Sequence, residues 1–113
     1  MTYTLCMVII ETHTFTKRIN RLMDEEIYRE LQNELIESPD TGKIIQGSGG
    51  IRKIRWSGSG RGKRGGSRLV YYWATNKDQI YMLFIYEKKE LSDLTKDQLS
   101  ALKKAVELEF GNG

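Results

Sequence analysis

The residues best suited to chemistry lie between Gly47 and Tyr72, in the stretch GSGGIRKIRWSGSGRGKRGGSRLVYY. Along Ile51-Arg52-Lys53-Ile54-Arg55-Trp56 the positions alternate, so Lys53 and Arg55 leave one face of a strand while Ile54 and Trp56 take the other. A glycine-rich loop bearing Arg61, Lys63 and Arg64 follows, and Arg68 opens the next strand. Glycine lets the backbone come close to a ligand, and the planar Arg fork matches phosphate oxygens two at a time, so this set points to a phosphodiester backbone. Seven of the eighteen basic residues fall in the stretch, and no Asp or Glu occurs from Thr41 to Lys77. That window carries +9 and the remainder −6, so a net charge of +3 hides a polarised molecule with one face suited to a polyanion. Cations packed this densely repel one another, and the loop is expected to settle only when an anion arrives. The plainer alternative is a solvated basic loop that binds without reacting.

Other site chemistries fit less well. Gly60-Arg61-Gly62-Lys63-Arg64-Gly65 has the letters of a dinucleotide loop, but a strand follows it where that motif must open a helix. The Walker pattern fails at Ser57, where a glycine is needed, and at Arg64, where Ser or Thr is needed. His13 and Cys6 are single, and the carboxylates lie on helix surfaces without ligand spacing, so neither a metal nor a cofactor is expected. Nucleophilic Ser-His and Cys-His pairs are equally unsupported. Phosphoryl chemistry here would run on Lys, Arg, Glu and Tyr.

The elements that must position these groups are legible in order. At 113 residues the chain is expected to be one domain, residues 1–113, with a single core. The apolar run Leu5 to Ile10 is too short for a membrane span or signal core, which makes the cytoplasm the expected compartment. Leu5 to Glu11 reads as a strand. Thr12 or Thr14 can cap a helix with Phe15, Ile19 and Leu22 on its inner side, and Asp24 caps a second with Ile27, Tyr28, Leu31 and Leu35. Ser38-Pro39 and Thr41-Gly42 end that helix. Ser67 to Ala74 and Gln79 to Tyr86 are apolar on both faces and joined by Thr75-Asn76-Lys77-Asp78, a hairpin at the centre of a sheet. Antiparallel pairing then places Arg68, Tyr86, Lys88 and Lys89 at one end. Thr95 to Gln98 fits a capping box for a last helix that Gly111 stops.

Three segments together resemble a known group: Ile45 to Arg55, Gly62 to Tyr72, and Ile85-Tyr86-Glu87-Lys88-Lys89-Glu90-Leu91-Ser92-Asp93-Leu94. They are similar to the HigB-type branch of the RelE/ParE toxin superfamily, and the likeness spans nearly the whole chain. The resemblance implies an α+β fold, a small antiparallel sheet, mixed at most, with two N-terminal helices and a C-terminal helix packed on one face. It implies the toxin of a type II toxin–antitoxin module, partnered by a helix-turn-helix antitoxin, that cuts messenger RNA on the ribosome with the RNA's own 2′-hydroxyl as nucleophile. Under that resemblance Arg68 stabilises the phosphate, while Lys53 and Arg55 hold the RNA backbone with Arg61, Arg64 and Lys89. Lys63 is the favoured base, its cationic neighbours lowering its pKa, and Glu90 is the runner-up. The C-terminal tyrosine of RelE is replaced near Thr95, leaving its role vacant or passing it to Tyr86, and Lys88, beside Lys89, is a further catalytic candidate. The ParE side of the superfamily implies gyrase inhibition on a similar fold; a non-catalytic RNA- or ribosome-binding module is the third reading.

Overall fold

The computed structural model describes residues 7–56 and 66–111. Its elements are β1 (Val8–Glu11), α1 (His13–Leu22), α2 (Glu25–Glu37), β2 (Lys43–Ile44), β3 (Ile51–Trp56), β4 (Ser67–Ala74), β5 (Gln79–Glu87) and α3 (Lys96–Phe110). Side-chain caps set the helix starts. The Thr12 hydroxyl accepts from Phe15 N, the Asp24 carboxylate from Ile27 N, and Thr95 with Gln98 forms the full capping box. Gly111 closes α3 at φ 75°, a conformation that costs glycine nothing.

The strands form one sheet in the order β1-β5-β4-β3-β2. The pairs β2–β3, β3–β4 and β4–β5 are antiparallel and β1 lies parallel to β5, so the sheet is mixed, with β4 at its centre. Side chains of β4 and β5 are buried on both faces, and both faces are covered. Phe15, Ile19, Leu31 and Leu35 of α1 and α2 pack on Leu69, Tyr71, Ile80, Met82 and Ile85. On the opposite face, Leu99, Leu102 and Val106 of α3 pack against Ile51, Val70, Leu83 and Tyr86. The one-sided helix layer implied by the resemblance is therefore corrected, because it would leave this second apolar face in water. Full burial of a Leu or Phe side chain is worth about 1.5–3 kcal/mol, and α1 and α2 bury Phe15, Ile19, Leu31 and Leu35 in this way, whereas the α3 side chains are only partly buried.

One irregularity controls what faces what. Val70 pairs with Phe84 but Tyr71 pairs with Met82, so Leu83 is an extra residue in β5. It shifts the alternation by one: Met82 and Ile85 enter the α1/α2 core, while Leu83 and Tyr86 enter the α3 core.

The expected strand start at Leu5 and the side chain of Cys6 lie outside the described residues, as do Arg61, Lys63 and Arg64. Among the described residues no helix is long and apolar enough to cross a membrane.

Candidate phosphate-binding site

Register alone assembles a row across three strands. Arg55 on β3 is paired with Arg68 on β4, and Arg68 with Tyr86 on β5. Directly opposed residues share a face with Cβ atoms about 5 Å apart, so two guanidinium groups and a phenol rise side by side. The next row brings Lys43 of β2 opposite Lys53 of β3, two residues from Arg55 on the same face. Lys43, Lys53, Arg55 and Arg68, with Thr41, Ile54 and Ser92, line a cavity of about 410 Å³. Four cations converging on a cavity of this size have the charge and donor geometry that suit phosphate groups.

The rim next to Lys43 is pinned from beneath. The Tyr71 hydroxyl donates to Pro39 O at 2.8 Å and accepts from Gly42 N at 2.9 Å, and Arg52 donates to Gly42 O at 2.7 Å. A Cβ on residue 42 would meet the Tyr71 ring at 2.9 Å, so only glycine lets the segment lie this close to the sheet. Thr41 and Lys43 are thereby held at the cavity.

Asp93 enters from the segment after β5, and the sequence reading did not single it out. Its carboxylate sits 3.0 Å from Lys53 Nζ and also accepts from Leu94 N. The Lys53 hydrogen bond, helped by that backbone N–H, holds the Asp93 carboxyl below the usual range. The acid-free window therefore overstated the local charge, since a carboxylate remote in sequence partly neutralises it. Tyr86 is fully buried, and its hydroxyl has no hydrogen-bond partner among the described residues. Burial pushes its pKa up, the Asp93 charge adds to that, and Arg68 opposes it.

Glu90 stands differently from its expected base role. One oxygen receives Arg18 Nη2 at 2.7 Å and the other receives Glu87 N at 3.0 Å. The Arg18 bond holds its pKa low, whereas a base must take a proton near neutral pH. Arg18 also donates to Ile85 O at 2.6 Å and lies over the Phe84 ring at 4.8 Å, covering the β5 edge beyond the reach of β1. Arg18 and Glu90 thus brace the strand end that carries Tyr86. Arg18 had no signal in sequence beyond its place on a polar helix face. Lys88 is exposed in the turn after β5, and Lys89 is exposed and lies 3.7 Å from Glu87; neither lines the cavity.

The family model described as "RelE toxin of RelE / RelB toxin-antitoxin system" matches residues 7–111. Among solved structures, an arginine double mutant of E. coli toxin RelE in the free state is similar at TM-score 0.57 and 16% identity, covering 88% of this chain and 95% of that one. The isolated E. coli RelE toxin is similar at TM-score 0.53 and 17% identity, with 88% and 99% covered. The intact E. coli RelBE toxin–antitoxin complex gives TM-score 0.51 and 21% identity over 71% and 94%.

Proposed function

Because this chain belongs to the RelE toxin family of toxin–antitoxin systems, we propose that it acts as a ribosome-dependent endoribonuclease of the HigB-type branch, cutting messenger RNA at the Arg55–Arg68–Tyr86 row. The observation that carries the reading is the convergence of Lys43, Lys53, Arg55 and Arg68 on one cavity beside a buried tyrosine. The cationic end of the sheet is what favours RNA cleavage over the gyrase reading.

In the proposed reaction the 2′-hydroxyl of the RNA attacks the adjacent phosphorus. A 2′,3′-cyclic phosphate forms as the bond to the 5′-oxygen breaks, and that oxygen takes up a proton. Arg68 donates to the phosphate oxygens as charge develops on them, where a positioned donor is worth most. Lys53 and Arg55 hold the flanking backbone and so fix the attack geometry. Tyr86 is kept protonated by its burial, which suits a donor to the leaving 5′-oxygen rather than a base. A phosphate beside Lys53 would compete with Asp93 for its ammonium group. Lys63 remains the proposed base and lies outside the described residues.

A cognate antitoxin with a helix-turn-helix segment is the proposed partner, with ribosome and message as targets. The test is to incubate the purified protein with translating ribosomes and map message ends. Cut message that disappears with Arg68→Ala supports the reading. Intact message with poisoned gyrase would replace it with the ParE-type activity, and ribosome binding without either would replace it with a binding module.

A further inference from the structure

A second cavity, about 370 Å³, runs along the flank of α3 and is lined by Gly47, Lys96, Leu99, Ser100, Lys103, Lys104 and Glu107. We propose that this groove is a second, non-reacting contact for the RNA phosphodiester backbone, formed by Lys96, Ser100, Lys103 and Lys104 against the β2–β3 turn. The inference rests on the RNA-cutting reading above and extends it to how the strand is held.

The helical period segregates these residues. Positions 96, 100, 103, 104 and 107 share one flank, Leu99, Leu102 and Val106 face the sheet, Asp97 borders the flank in the first turn without lining the groove, and Glu109 falls elsewhere on α3. Three lysines meet a single Glu107. None of Lys96, Lys103 and Lys104 makes an ion pair with a described residue, although Glu107 lies three and four positions away from two of them. Lys96 and Lys104 are exposed and Lys103 is half-buried, so the ammonium groups remain available. At 1.5 Å per residue the lysines span about 10–12 Å, enough for successive phosphates of one strand.

The opposite wall is a bare backbone turn. Gly47 has φ 75° and nothing within 4 Å of where a Cβ would stand, so a ligand can approach without meeting a side chain. Leu99 is the one apolar residue in the lining, which argues against a folded peptide, since such partners rely on aromatic or aliphatic anchors. Lysine point charges and a hydroxyl suit phosphate oxygens. The groove also follows the reactive cavity along the chain: Ser92 lines that cavity and Lys96, four residues on, lines the groove. One strand leaving the cavity can therefore continue along α3.

The test is a salt titration of binding to a single-stranded 2′-O-methyl oligoribonucleotide, which cannot be cut. Each neutralised single-strand phosphate adds about −0.7 to the log–log slope, so Lys96→Gln/Lys103→Gln/Lys104→Gln should flatten it by about 2. Between 50 and 200 mM salt the wild type should then lose about 20-fold more affinity than the triple variant. Arginine at the same three positions should restore the slope, and Lys17→Gln/Lys77→Gln, exposed lysines elsewhere, should leave it near wild type. An unchanged slope in the triple variant overturns the groove while leaving the reactive cavity intact. So does an equal effect from the control pair. No salt-dependent binding by the wild type would overturn the RNA reading itself.

Discussion

Replacing Asp93 by Asn separates the binding role of the cationic cavity from its stability. Asp93 is the acidic group facing Lys53, and its side chain is 68% exposed while that of Lys53 is 34% exposed. Such a pair is solvent-screened and is worth about 0–1 kcal/mol, so Asp93→Asn should change the unfolding free energy by less than that in a denaturant melt. Lys53, one of the four cations lining the cavity, however, loses its carboxylate partner. Affinity for an uncleavable single-stranded oligoribonucleotide should rise. The log–log salt slope should steepen by about 0.7, equivalent to between two- and threefold more loss from 50 to 200 mM salt. The pH dependence has a definite sign. A carboxyl whose pKa is lower folded than unfolded stabilises the protein above the unfolded value, near 3.9, and loses that contribution as pH falls through the lower folded value. The small wild-type advantage over Asp93→Asn should therefore be flat at neutral pH and vanish only below about pH 4. Weaker RNA binding by a folded Asp93→Asn protein would refute the idea that this carboxylate competes with phosphate for Lys53.

Three further perturbations address the remaining groups. Arg68→Ala should slow message cleavage by about 10²–10³-fold, the usual loss of one transition-state donor, with little change in melting; unchanged cleavage would remove its role. Tyr86→Phe deletes a hydroxyl that has no described partner, so stability should hold or rise slightly while cleavage falls about 10²-fold or more. A variant that melts earlier and cuts normally would make Tyr86 a core residue only. Tyr71→Phe leaves Pro39 O and Gly42 N without their bonds and should cost about 1–3 kcal/mol by denaturant titration, loosening the Lys43 rim. A cost near zero would mean that water replaces the phenol there.

The local sequence determined a good deal. Thr12, Asp24 and the Thr95–Gln98 box start the three helices where expected, because a cap is a contact between residues three apart. Alternation in β3 put Lys53 and Arg55 on one face, and the hairpin after Ala74 brought Arg68 toward Tyr86, because strand period and turn residues are written consecutively. Other features were settled by packing. Without the extra residue at Leu83, plain alternation from the Tyr72–Tyr81 pair would have set Ile85 opposite Arg68 and turned Tyr86 into the α1/α2 core. That single-residue slip is chosen by which side chains fill the two cores, and no window of sequence records it. The Lys53–Asp93 contact spans forty residues, and the Arg18–Glu90 contact seventy-two. Charge counts along the chain therefore gave the sign of the site, while the closing of strands and loops decided which cations remain for a phosphate and which carboxylate serves the scaffold.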